Sequence, residues 1–242
     1  MKKWLMISVL CSALVLGGCN KVNEGENPQQ PIGEENGNNE EPVEQELGLA
    51  AEDEFTSKFL VSTKEEEDGF YLMRGELGGF EMLMPRDAVM GEIFHKVENN
   101  AVEELEYSHP DEENNRRLSV FAVYISRYPQ DQKDNYLESF KQEIGFTGEF
   151  DLKETDSNEI YKGKLTNEEI DDKSFHVFFA YTFSKDGNEA VSLRYSIACI
   201  DEDQCELQLN NEEKYFNQLV ESINFTDKGL IGVTNRLKRS IN

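Results

Sequence analysis

Basic residues are scarce in this sequence: 24 lysines and arginines face 49 aspartates and glutamates, a formal net charge of -25. A nucleic-acid groove needs the opposite balance to neutralise phosphates, so the charge argues against a nucleic-acid partner. Three histidines and four cysteines are too few for a disulfide scaffold or a multi-zinc protein. His95, His109 and His176 stand apart from one another, in no metal-ligand spacing such as H-E-x-x-H. Also missing are the G-x-S-x-G elbow, S-x-x-K, the Walker loop and G-x-G-x-x-G. Gly75-Glu76-Leu77-Gly78-Gly79 is glycine-rich, but it lies between two expected strands and not before a helix, so it reads as a turn. Long apolar runs are lacking as well, except for one near the amino terminus.

That run extends from Trp4 to Leu16, follows Lys2-Lys3 and precedes Gly17-Gly18-Cys19. A basic start and a short apolar core fit a secretory signal. A membrane span needs about 20 apolar residues, more than this run supplies. The cleavage region is not of the A-x-A kind. Leu16-Gly17-Gly18-Cys19 instead resembles the lipobox of bacterial lipoproteins. That resemblance implies a signal peptide over residues 1–18 and a diacylglycerol on the Cys19 thiol. It also implies that cleavage makes Cys19 the first mature residue, whose amine is open to a further acyl chain such as palmitate. Two chains anchor a protein stably, whereas one binds only marginally. The expected location is therefore the extracytoplasmic face of the cell membrane.

Residues 19–54 read as an acidic, disordered tether. From Asn20 to Glu54 there are 11 acidic residues against one lysine, with few bulky apolar side chains. Such a composition cannot bury enough apolar surface to offset its ordering entropy. As a flexible chain it spans roughly 30–35 Å. Residues 226–242 read as a basic tail, carrying Lys228, Arg236, Lys238 and Arg239.

Between them, residues 55–225 read as a single α+β domain. Strand-like runs are expected at Phe59–Val61, Gly69–Met73, Gly79–Met84, Glu92–Val97, Ala101–Tyr107, Leu118–Ser126, Gly148–Lys153, Glu159–Leu165, Ser174–Ser184 and Ala190–Ile200. Asp186-Gly187 is a hairpin-turn signal between the last two. Helical spacing marks Asp131–Ile144, through Tyr136, Leu137, Phe140 and Ile144, and Asn211–Ile223, through Phe216, Leu219, Val220 and Ile223. Asn210 or Asn211 is the expected N-cap of the second helix. Many strands, two helices and no strand-helix alternation imply a mostly antiparallel sheet flanked by helices. The order of elements, with Gly79-Phe80-Glu81-Met82-Leu83-Met84-Pro85 early and Leu219-Val220-Glu221-Ser222-Ile223-Asn224-Phe225 at the close, resembles the PsbP/Mog1-like family. The resemblance covers roughly residues 58 to 225. It implies a sheet-and-helix sandwich of the kind used by binding and accessory proteins.

The chemistry-bearing candidates are few. Acidic clusters at Glu65–Asp68, Asp111–Glu113 and Asp201–Asp203 lack the calcium-loop pattern and read as solvated turns. Cys199 and Cys205 enclose five residues and would form a disulfide in an oxidising compartment. Closing so short a loop stabilises by roughly 2 kcal/mol. A redox pair or two free thiols are the alternatives. No catalytic, cofactor or metal residue is expected, and Cys11 should leave with the signal. The leading expectation is a non-catalytic binding or accessory module in envelope or surface-community processes. It would be held by the membrane through lipidated Cys19 and contact a protein or wall ligand. The alternatives are an envelope enzyme with an unrecognised site and an acidic cation-binding protein.

Overall fold

The computed structural model describes residues 46–111, 115–170, 173–200 and 207–226, with backbone alone for 167–170 and 173–174. The expected signal peptide, the tether up to residue 45, Cys19, Cys205 and the tail beyond Thr226 lie outside the described residues.

The domain begins before the expected boundary at Phe55. Helix α1 (Leu49–Glu52) is part of the fold, and Ala50 is fully buried in the main core. The Gly48 amide donates to Tyr71 Oη at 2.9 Å, and the Ala50 amide donates to the Arg86 carbonyl at 2.9 Å. Residues 46–54 therefore do not belong to the tether. The acidic composition of Glu52-Asp53-Glu54 masked two small apolar residues that supply the anchoring contact.

The strands follow in order: β1 (Phe70–Arg74), β2 (Phe80–Pro85), β3 (Val89–Met90), β4 (Lys96–Glu98), β5 (Val102–Asp111) and β6 (Arg116–Ile125). Helix α2 (Lys133–Ile144) leads to β7 (Asp151–Glu154), β8 (Asn158–Ile170), β9 (Lys173–Ser184) and β10 (Ala190–Cys199). Helix α3 (Leu209–Glu221) and β11 (Asn224–Phe225) close the described chain. Among the described residues there are two sheets. The large one runs β3-β5-β6-β10-β9-β8-β7, with β4 also on β5, and the small one runs β1-β2-β11. Every pairing is antiparallel. The fold is α+β, as the element pattern implies.

Strand β9 shows how the layers are built. Its aromatic-rich run has both faces covered, which is why it lacks polar alternation. Phe178 and Ala180 point into the core shared with the small sheet and α3, and Phe178 meets Phe216 at 5.7 Å. Phe179, Tyr181 and Phe183 point the other way, under α2, where Phe140 meets Tyr181 edge-on at 5.3 Å. Gly163 stands opposite Phe179 across the β8–β9 ladder, and a Cβ there would lie 2.4 Å from the Phe179 ring. The missing side chain is what lets that ring lie flat on the sheet.

Three expected elements differ. Phe59–Val61 is not a strand: Thr56–Phe59 is a 3-10 turn, followed by a single bridge from Leu60 to Met73. The deciding spacing is Phe55 to Phe59, four residues apart, with rings 5.3 Å apart on one helical face. Glu92–Val97 opens with a 3-10 turn at Glu92–Phe94, and only β4 is extended. Ile93 there is 86% exposed, so its apolar character does not mark a buried strand. Helix α3 starts at Leu209, with Gln208 at the N-cap and no side-chain cap bond. Asn210 and Asn211 therefore lie inside the helix and do not cap it. In addition, β5 runs on past the expected strand end at Tyr107, through His109 and Pro110, which pair with Leu118 and Arg117.

Candidate functional site

The sequence candidates are not brought together. His95 lies 3.3 Å from Glu103 and edge-on to Phe59 at 5.0 Å. His109 Nδ1 sits 3.1 Å from the Asp87 carbonyl oxygen. His176 is buried in β9, opposite Ile197. Among the described residues no group of three His, Cys, Asp or Glu side chains could hold a metal ion. Cys199 is disulfide-bonded, and its partner lies outside the described residues. Of the acidic clusters, Glu65 holds Arg86 at 2.9 Å and the Gly69 amide at 2.8 Å, and Glu67 accepts from Gln218 at 2.7 Å. These carboxylates are structural. Asp201–Asp203 lie outside the described residues.

Burial lowers the His176 imidazole below its ordinary range. The unfolded state therefore takes up a proton near pH 6.5 that the folded state refuses. More protons bound to the unfolded chain means that stability falls as pH drops below about 6.5. Urea melts at about pH 7.5 and 5.5 should show this loss in the wild type and a smaller one in His176→Gln. An equal loss in both would remove His176 as its source.

Two buried polar assemblies were not legible beforehand. The first is Glu103, fully buried on β5. Its carboxylate accepts from the amides of Glu76, at 2.7 Å, and Leu77, at 3.1 Å. The glycine-rich turn thus does present its amides to an anion, and that anion is the chain's own carboxylate. The second assembly ties α3 to the large sheet. Arg116 Nε donates to Asp111 at 2.6 Å, its Nη1 pairs with Glu212, and Tyr195 Oη donates to the second Glu212 oxygen at 2.6 Å. Burial, and then the Glu212 carboxylate, push the Tyr195 phenol far up, so it stays a donor.

A cavity of about 460 Å³ opens at one end of the large sheet. It is lined by the turn between β9 and β10, by Asn100, by Ser126 and Arg127 after β6, by Ser157 and Asn158 at the start of β8, and by Asn224–Thr226 around β11. Tyr124 and Asn158 also line it, 1% and 4% exposed. Tyr124 stacks on Phe80 at 5.3 Å and lies against Gly79, where a Cβ would meet its hydroxyl at 1.9 Å. Asn158 Nδ2 donates to the Ile223 carbonyl at 2.8 Å, which fixes Oδ1 as the remaining acceptor. Tyr124 Oη and Asn158 Oδ1 are buried and have no hydrogen-bond partner. A second cavity, about 450 Å³, lies among Phe55, Lys58, Val61, Arg74 and Glu76.

A family model described as "Putative lipoprotein YvcA", of the YvcA/Mog1p family, matches residues 48–224. The chain belongs to this family. The match starts at residue 48, in agreement with a fold that begins around α1 and not at Phe55. A "Putative lipoprotein YvcA" from Bacillus subtilis (strain 168) is 25% identical over 237 residues, covering 93% of this chain and 97% of the relative. The Ran-binding protein Mog1p of Saccharomyces cerevisiae superposes with a TM-score of 0.44 at 9% identity, covering 66% of this chain and 97% of its own. Membership thus bears out the expected lipoprotein and the Mog1-like family resemblance. Among the described residues no helix is long and apolar enough to cross a membrane.

Proposed function

We propose that this family member is a lipid-anchored cell-envelope protein that acts by binding, without chemistry of its own, at the outer face of the bacterial cell membrane. The observation that carries the reading is Leu16-Gly17-Gly18-Cys19 after a basic, short apolar leader, in a chain whose family is described as lipoproteins. Cys19 carries the lipid, and the acidic segment that follows it links the domain to the bilayer. Cys199 pairs with Cys205, because Cys11 leaves with the leader and Cys19 is acylated. The dispersal of the histidines supports binding over catalysis, since a base within reach of a nucleophile and an orienting group is what hydrolytic chemistry requires. The partner is a protein or a wall ligand, and the process is one of the envelope or of the surface community.

Complementation of a strain lacking the protein tests the non-catalytic part. Alanine at His95, His109 or His176, with normal amounts of anchored, folded protein, should restore the wild-type phenotype. One such variant behaving like the deletion would put an enzyme in place of a binding module.

A further inference from the structure

We propose that residues 228–242, a basic and apolar segment of this same chain, dock over the groove formed by Phe55, Phe59 and Val61 beside the Gly75–Gly79 turn. The inference goes beyond the binding function above and does not rest on it. The groove is apolar and open. Phe55, Phe59, Leu60 and Val61 line a cavity of about 450 Å³. His95 packs edge-on against two of these rings, 5.0 Å from Phe59 and 5.9 Å from Phe55. Val61 is 44% exposed, and Ile93 and Phe94, just before His95 in the chain, are 86% and 52% exposed. Large apolar side chains left exposed in one place mark a contact surface. The rim is acidic. Glu54, Glu76 and Glu92 are exposed there. Arg74 is already held by Glu81 at 2.7 Å, which leaves Lys58 to oppose them.

Two observations select the occupant. The first is where the described chain stops. The Thr226 amide donates to the Gly79 carbonyl at 3.0 Å, and the Thr226 hydroxyl donates to the Gly78 carbonyl. Gly78 is two residues from Glu76, at most about 7 Å along the chain, and Glu76 lines the groove. The chain therefore continues from a point beside the groove. Residues 227–242 reach up to about 50 Å when extended, more than enough to cross it. The second observation is charge and pattern. From Lys228 onward there are four cations, Lys228, Arg236, Lys238 and Arg239, and no acid, in a chain of 49 acids and 24 bases. Leu230, Val233, Leu237 and Ile241 recur among them at helical spacing. A segment with one apolar line and one basic line complements an apolar groove with a carboxylate rim. Anionic lipid would complement the basic line alone, because the rim repels it. Attachment at Thr226 makes the contact intramolecular, so individually weak pairs suffice.

The test uses the full chain in detergent micelles. A carbodiimide, which joins carboxylates to amines in contact, is the probe, and peptide mass spectrometry reads the products. Lys228 or Lys238 should couple to Glu54, Glu76 or Glu92, and far less to Glu138, an exposed carboxylate on α2. Val233→Asp with Leu237→Asp should abolish most of this coupling. The same pair should quicken amide exchange over residues 58–61 and 93–95 about tenfold, with exchange elsewhere in the domain unchanged. Val61→Lys should act alike from the groove side, by removing apolar surface and adding a like charge. The segment variant lies outside the domain core, so it decides the matter even if Val61→Lys unfolds. Coupling should also persist on vesicles of phosphatidylglycerol. Three results overturn the proposal. One is coupling to Glu138 as readily as to the groove, or unchanged exchange in the segment variant. Another is coupling between labelled and unlabelled chains in a mixture, which would give the groove to a second copy. The third is loss of coupling on the anionic vesicles, which would give the segment to the membrane.

Discussion

Arg116→Leu will lose about 3–5 kcal/mol of folding stability, the usual consequence of removing one partner of a buried ion pair. Arg116 joins Asp111 on β5 to Glu212 in the first turn of α3, across 96 residues of sequence. The side chain of Glu212 is only 6% exposed. Without Arg116 its carboxylate keeps the Tyr195 hydroxyl but is left as a buried charge with no cation in contact. The loss should appear as a lower denaturant midpoint with an unchanged slope. The charge, and not the lost contacts, causes most of it. The double variant Arg116→Leu with Glu212→Leu should therefore recover much of the stability, since replacing a buried pair by apolar residues is often neutral. A single variant within about 1 kcal/mol of the wild type, the ordinary value of an exposed pair, would show that the site is solvated.

Cys19→Ser should remove most of the cellular function while leaving the folded domain intact. Acylation through Cys19 is the proposed source of membrane residence, and two chains are the minimum for a stable anchor. On that proposal residues 20–45 are the tether, and a flexible chain of that length would span roughly 25–30 Å, holding the domain near the bilayer at an effective concentration of about millimolar, where weak binding suffices. Unacylated protein has no such advantage. The variant should keep its leader, fail to incorporate labelled fatty acid, and complement poorly at normal abundance. Labelled fatty acid on Cys19→Ser would overturn the assignment of the lipid to this residue, and full complementation would overturn the need for it.

The expected leader and lipobox-like stretch lie outside the described residues. Helix α2 and most strands were legible because their 3.6- and 2-residue periods are local. Where a local pattern was ambiguous it failed. The short apolar runs at Phe59–Val61 and Glu92–Val97 carry no period long enough to separate a 3-10 turn from a strand.

What only the tertiary structure decided is what meets across distance in the chain. Glu103 read as one more acid among 49, and folding makes it the anion that fills the Gly75–Gly79 turn. Glu212 lay within an expected helix, with no sign of burial, and the placement of β6 beside β10 makes it a buried partner of Arg116 and Tyr195. Ala50 read as part of the tether until the Arg86 carbonyl received its amide. Tyr124 read as an ordinary strand residue and Asn158 lay just before an expected strand, and both line one cavity together with β11, which returns to pair with β2. Periodicity reports which side of an element is apolar. It carries no information on which element will cover that side, because strand order is set by the summed burial of all layers at once.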